Sequence, residues 1–307
     1  MNQKLIVILG PTASGKSSLA IKIAKKFNGE IISADSRQVY KGMDIGTGKV
    51  KKKEMLGIPH YLLDVANPRR RFTIVQYREL ALKAIDKIFQ KGKIPILCGG
   101  TGFYIQAVVD GIIIPQVAPD WKLREELERE SIKELFKLLR RLDPRRAKKI
   151  DKNNPRRLIR AIEIILKTKK PIPILEKNPL PYPVLMIGLK KSPEELKRLI
   201  KKRLLKKLKP RSRTSSLRGR QGMIEEVARL HRNGVSWQRL EEFGLEYRHV
   251  AKYLQTKLDY KEMVESIQKE SENYAKRQIT WFKRDKRIKW IKNIKEAEKL
   301  VNKFLGN

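Results

Sequence analysis

The chain has 307 residues, with 71 Lys and Arg against 33 Asp and Glu, a formal charge of +38. Hydrophobic residues at 40% leave enough apolar chain for one large domain or two of moderate size, and argue against wholesale disorder. The charge points to a polyanion partner (nucleic acid or an anionic membrane surface) or to compositional bias, while a single cysteine, Cys98, excludes an internal disulfide and a Cys-based zinc site.

The apolar run near the N-terminus is too short for a secretory leader, and no run approaches the ~20 residues of a membrane span; a cytoplasmic protein is expected. Residues 5–9 read as a strand buried on both faces. A Gly-rich turn leads to a helical stretch over 17–27, and 30–33 is a second strand candidate. Thr73 can cap a helix in which Ile74, Tyr77, Ala81, Ile85 and Ile88 follow helical spacing, with Gly92 as its stop. Residues 94–98 give a third strand, with a buried, inert Cys98. From about Pro119 the pattern changes: 121–141 and 155–167 are charged, helix-period segments with no strand between them. A proline-rich connector over 169–183 follows, then a strand at 184–189 that returns to the sheet. The remainder reads as mostly helical, with a last strand candidate at 287–291. The expected fold is α/β: a P-loop NTPase-like parallel sheet with helices on both faces, its core divided into 1–118 and 183–307 by a helical insertion domain over 119–182.

Gly10, Pro11, Thr12, Ala13, Ser14, Gly15, Lys16 and Ser17 fit G-x-x-x-x-G-K-[ST], placed between an apolar strand and a helix as that motif requires. Backbone N–H groups of such a loop converge on an anion, and the helix N-terminus adds the positive end of its dipole. Lys16 can neutralise phosphate oxygens and the Ser17 hydroxyl can ligate Mg²⁺. An ordinary Gly-rich turn is the alternative; a diphosphate or triphosphate is the favoured ligand. A P-loop ATPase usually carries a strand ending in a metal-binding Asp, yet 94–98 runs into Gly99-Gly100-Thr101-Gly102. Asp35 instead follows the second strand, at the sheet edge that faces the ligand in open α/β folds. A carboxylate there can act as a base rather than a metal ligand, or simply cap a helix.

The loop at 10–17, the block Ile32-Ser33-Ala34-Asp35-Ser36-Arg37-Gln38 and its continuation to Lys49, Pro59-His60-Tyr61-Leu62-Leu63-Asp64, Gly99-Gly100-Thr101-Gly102-Phe103-Tyr104, residues 154–163 and Lys276-Arg277-Gln278-Ile279-Thr280-Trp281-Phe282 together resemble the tRNA dimethylallyltransferases, or tRNA isopentenyltransferases. The blocks stand in the family's order across nearly the whole chain. The resemblance implies transfer of the dimethylallyl group of dimethylallyl diphosphate to N6 of adenosine 37, beside the tRNA anticodon, with release of diphosphate. It implies Asp35 as general base, Lys16 and Arg203 on the leaving group, Thr12 near the donor, Thr101 near the acceptor base, and Mg²⁺ on Ser17. Around the nucleotide it implies Asp35, Ser36, Arg37, Gln38 and Thr101. Further tRNA contacts are expected from Arg124, Arg156, Arg157, Arg160, Arg248, Lys276, Arg277, Gln278 and Thr280. The implied partners are the tRNA anticodon stem-loop and dimethylallyl diphosphate, with no membrane and a monomeric protein.

The implied chemistry needs an adenine taken out of its stack, because the exocyclic amine is unreachable within the loop. Trp281 and Phe282 could stack on unpaired bases or belong to a helix core. Residues 197–220 hold twelve Lys or Arg and no acid. Within that stretch, 210–221 departs from the family's shorter joint and reads as a mobile loop that orders on RNA; 243–248 also departs from the commoner Gly-Tyr-Arg pattern. His60, His231 and His249 lack metal-ligand spacing. A P-loop small-molecule kinase and a non-catalytic RNA-binding protein are the competing readings, weakened by missing kinase signatures and by intact Lys16, Ser17 and Asp35 respectively.

Overall fold

In the computed structural model, which describes residues 3–112, 117–172, 177–209 and 222–306, the run LIVIL forms strand β1 (Leu5–Leu9) with every residue buried. Its alternate side chains enter two different cores: Leu5, Val7 and Leu9 on one face, Ile6 and Ile8 on the other. That two-sided burial is why the strand is continuously apolar rather than alternating. β2 (Gly29–Ala34), β3 (His60–Tyr61), β4 (Ile94–Gly99), β5 (Val184–Leu189) and β6 (Lys289–Ile291) complete a six-stranded sheet in the order β3-β2-β4-β1-β5-β6. Each pairing is parallel. β3 was not foreseen, because two residues are too few to show a period. β6 starts at Lys289 rather than 287, since Arg287 is held in the preceding turn by Asp285 (2.6 Å) and by Asp110 (2.8 Å).

Helix α1 (Lys16–Lys26) leaves the P-loop, and α2 (Ile74–Gln90) begins at Thr73, whose side chain accepts from the Gln76 N–H at 3.2 Å. α3 (Gly102–Val109) follows β4. Residues Gly111–Pro179 form a compact unit of their own; Met1–Asp110 with Leu180–Asn307 form the other. The smaller unit thus begins before Pro119 and ends before 182. It contains α4 (Trp121–Glu128), α5 (Ile132–Leu142), α6 (Pro144–Lys149) and α7 (Pro155–Thr168) around Leu135, Leu139, Leu158 and Ile162. Residues 121–141 therefore do not make one helix. Ser131 and Asp143 each cap a new one, accepting from the Glu134 and Arg146 N–H groups, and Pro144 cannot continue the helix before it.

The larger unit ends in α8 (Pro193–Leu208), α9 (Met223–Arg232), α10 (Trp237–Phe243), α11 (Leu245–Leu254), α12 (Tyr260–Phe282) and α13 (Ile294–Leu305). The basic Ser/Arg loop expected at 210–221 lies outside the described residues. Among those described, no helix is long and apolar enough to cross a membrane.

Candidate active site

Three parallel strands end side by side. Register pairs Leu9 of β1 and Ala34 of β2 with the same residue of β4, Gly99. The P-loop, Asp35 and the Gly100-Thr101 turn therefore leave the sheet at one edge, where open parallel sheets bind ligands. Gly100 lets two side chains approach closely: a Cβ there would lie 2.4 Å from Gln278 Nε2, which would have to shift, and 3.4 Å from Lys16 Nζ. A cleft of about 650 Å³ opens there. Thr12, Ala13, Gly15, Lys16, Ser17, Asp35 and Gln38 line it, joined by Thr47, Gly48, Val50 and Leu56, by Lys202, Arg203 and Lys206 of α8, and by Tyr274 and Gln278 of α12.

The P-loop takes the shape of an anion cradle. Ala13 (φ +62°) and Gly15 (φ +91°) are left-handed, the alternation that turns successive N–H groups inward. Lys16 Nζ donates to the Pro11 carbonyl at 3.2 Å. Burial pushes the Lys16 ammonium below its ordinary range, and Asp35 opposes that shift; an anion beside Lys16 would relieve the cost. Arg203 donates to Thr12 Oγ1 at 3.3 Å and to the carbonyls of Thr47 and Gly48 at 3.2 and 3.3 Å. These partners are uncharged, so the guanidinium keeps its charge for a ligand. Burial pushes the Cys98 thiol up to about 12, which makes it inert. Ser17 is half-buried at the start of α1.

On the β2 side, Asp35 Oδ1 accepts from the Arg37 and Gln38 N–H groups at 2.9 and 3.4 Å, fixing the carboxylate at the cleft wall. Thr101 Oγ1 accepts from Ser36 N at 3.0 Å and so ties the β2 turn to the β4 turn. Arg37 donates to the Phe243 carbonyl at 2.8 Å. Tyr274 was not read from the sequence. Its phenol is bonded to Thr101 and pushed up to about 12, by burial first and by Asp35 second. The available signal was its position one turn before Gln278, on the same helix face.

Several of the residues expected to contact tRNA also make bonds within the protein. Gln278 is buried, accepting from Thr12 N and donating to the Gly100 carbonyl, both at 2.8 Å, so it clamps the P-loop to the β4 turn. Arg248 pairs with Glu270 at 2.8 Å and donates to the Glu241 carbonyl. Arg124 binds both oxygens of Glu163, at 2.9 and 2.7 Å, and Arg160 bonds Glu163 and the Val117 carbonyl. Glu163 is fully buried on the apolar face of α7, and a carboxylate there needs counter-charges. Arg156, Arg157, Lys276, Arg277 and Thr280 are exposed. Phe282 is core, whereas Trp281 is half-buried and meets exposed Phe103 edge-on at 6.4 Å. The three histidines make protein contacts: Ile58 O to His60, Val235 O to His231 and Glu270 to His249. Among the described residues no cluster of three His, Cys, Asp or Glu could hold a metal ion.

The chain is similar to known proteins along most of its length. The family model described as IPP transferase matches residues 38–285. A tRNA dimethylallyltransferase of Acetivibrio thermocellus is 41% identical over 295 residues, covering 94% of this chain and 91% of that protein. The crystal structure of the tRNA isopentenylpyrophosphate transferase from Bacillus halodurans superposes with a TM-score of 0.70 at 33% identity, covering 99% of this chain and 96% of that one. A eukaryotic dimethylallyltransferase, captured acting on tRNA, gives a TM-score of 0.70 at 28% identity, over 91% of this chain and 69% of its own.

Proposed function

The chain belongs to the IPP transferase family, and from that premise we propose that it moves the dimethylallyl group of dimethylallyl diphosphate to N6 of adenosine 37 in tRNA, releasing diphosphate. The observation that carries this reading is the cleft in which Lys16, Arg203 and Asp35 converge, the two cations hydrogen-bonded to neutral oxygens and the carboxylate held by backbone N–H groups.

As the allylic C–O bond breaks, negative charge grows on the bridging oxygen of the diphosphate. Lys16 and Arg203, both lining the cleft, are the groups suited to meet that charge, and preorganised donors stabilise it more than water does. The adenine amine is weakly basic and loses its proton as the new N–C bond forms. Asp35 is the base suited to accept it, with Thr101 and Tyr274 placed to hold the acceptor ring. Ser17 lines the cleft beside Lys16, and its hydroxyl would hold Mg²⁺ there, an oxygen donor of the kind that ion prefers. When bound, the ion offsets charge on the departing diphosphate.

Exposed Arg156, Arg157, Lys276 and Arg277 are suited to the tRNA backbone, and their contribution falls with salt. For a relative of tRNA dimethylallyltransferases we place the activity in the cytoplasm, and the described cleft is lined by a single chain, as expected of a monomer. Incubation with dimethylallyl diphosphate, Mg²⁺ and unmodified tRNA, followed by nucleoside mass spectrometry, is expected to yield N6-dimethylallyladenosine. ATP consumption with a phosphorylated product and no prenylated nucleoside would overturn the reading in favour of a kinase.

A further inference from the structure

Beside the cleft, the loop at 44–48 is folded around a buried carboxylate. Glu226, in the first turn of α9, is fully buried. Its Oε2 accepts from the N–H groups of Asp44 (2.9 Å) and Ile45 (2.6 Å), and its Oε1 from Gly46 N–H (2.9 Å) and the Tyr247 hydroxyl (2.7 Å). Three consecutive peptide N–H groups and a phenol thus close on one anion. Charge-assisted bonds of this kind are the stronger ones, and losing the acceptor would leave buried donors unsatisfied. The loop therefore has one favoured conformation.

The carbonyl side of the same loop meets α8. Arg203 donates to the Thr47 and Gly48 carbonyls, and Lys207, one turn further on, donates to the Gly46 carbonyl at 2.6 Å and pairs with Glu246 at 2.5 Å. Gly48 is left-handed (φ +62°), and a Cβ there would lie 1.9 Å from Arg203 Nη2. Arg203 thus rests directly on a loop whose opposite edge is held by Glu226. The charge of Glu226 is met by peptide N–H groups, a phenol and the nearby Lys207 ammonium, while the hydrogen-bond partners of Arg203 are neutral oxygens, with Glu246 as the carboxylate within its electrostatic reach.

We propose that Glu226 is a positioning residue for prenyl transfer: through the loop at 44–48 it sets the Arg203 guanidinium against Thr12 and the diphosphate. This role rests on the reading that Arg203 faces the leaving group. The test is a double-mutant cycle of Glu226→Gln and Arg203→Ala, read as calorimetric affinity for inorganic diphosphate, single-turnover prenyl transfer and tRNA affinity. Glu226→Gln keeps the shape but turns an amide NH₂ toward the loop's N–H groups. It is expected to weaken diphosphate binding and slow transfer about tenfold, with tRNA affinity little changed. In the Arg203→Ala background its added effect should fall to about twofold or less.

An equal loss in both backgrounds, or unchanged diphosphate affinity in Glu226→Gln, overturns the proposal. Should Glu226→Gln not fold, Tyr247→Phe removes one donor and keeps the ring. Its smaller loss, about threefold, should show the same dependence on Arg203, and independence from Arg203 overturns the proposal. Wild-type protein that binds no diphosphate overturns the reaction proposed above, and the positioning role with it.

Discussion

Arg203 in the cleft and Arg124 in the helical insertion are both half-buried helical arginines, yet they meet opposite partners. Arg203 rests on a hydroxyl and two carbonyls; Arg124 grips both oxygens of buried Glu163, where Arg160 joins it. Neutral oxygens orient a guanidinium and leave its charge for a ligand. A buried carboxylate consumes that charge and turns the arginine into part of the fold. A positive residue announces an anion site only when its neighbours have been seen. The excess of +38 is accordingly of several kinds: cleft-lining cations, exposed helix residues and internal counter-ions.

That contrast can be broken by experiment, and the carboxylates give the largest effects. Asp35→Asn should slow transfer about 10³-fold, within the range usual for a lost general base, while tRNA affinity stays within a few-fold; near-normal turnover would remove Asp35 from the chemistry. Glu163→Gln should do the reverse. It leaves two arginines facing an amide and should destabilise the insertion by about 3 kcal/mol, seen in thermal melting. Burial alone would raise the Glu163 carboxyl, but bonds from Arg124, the Asp120 N–H and Arg160 hold it below the ordinary range. A folded-state pKa depressed in this way means that the stabilisation is complete above the ordinary carboxylate range and is lost as pH falls through the depressed value. Acid melting checks the sign: the wild type should lose more stability than Glu163→Gln over that interval, the remainder of the loss in both coming from other depressed carboxylates such as Glu30 and Glu246.

Arg203→Ala comes next, with an expected loss of about 10²-fold in diphosphate affinity and transfer rate and little change in melting temperature. A large stability loss there would erase the distinction from Arg124. The smallest effects belong to the exposed cations. Arg156→Ala and Arg157→Ala should each weaken tRNA binding a few-fold and reduce the salt slope by about 1. An unchanged slope would make these two a solvated face.

The cleft was more legible in the sequence than the insertion, for a physical reason. A phosphate loop needs particular residues at consecutive positions, because each backbone amide has its own task, and residues 10–17 display them in order. Asp35 and Thr101 were findable because they end strands that neighbour each other in a parallel sheet. Gln278 and Tyr274 arrive from a helix far along the chain, more than two hundred residues beyond the P-loop; Gln278 stood in a family block, and only the shared helix face hinted at Tyr274. Glu163 and Glu226 carried a signal that was overlooked: each is an acid on an otherwise apolar helical stripe, as in Met223, Glu226, Val227 and Leu230. An acid at such a position calls for internal donors, which Arg124 and Arg160 supply to Glu163.

The most direct measurement of the central claim is single-turnover transfer from labelled dimethylallyl diphosphate to an anticodon stem-loop, with position and stoichiometry both read. One label on N6 of adenosine 37 for each diphosphate released, and none on a stem-loop lacking adenine at that position, is the predicted result. Diphosphate released without label on the RNA, or label placed irrespective of that adenine, would contradict it.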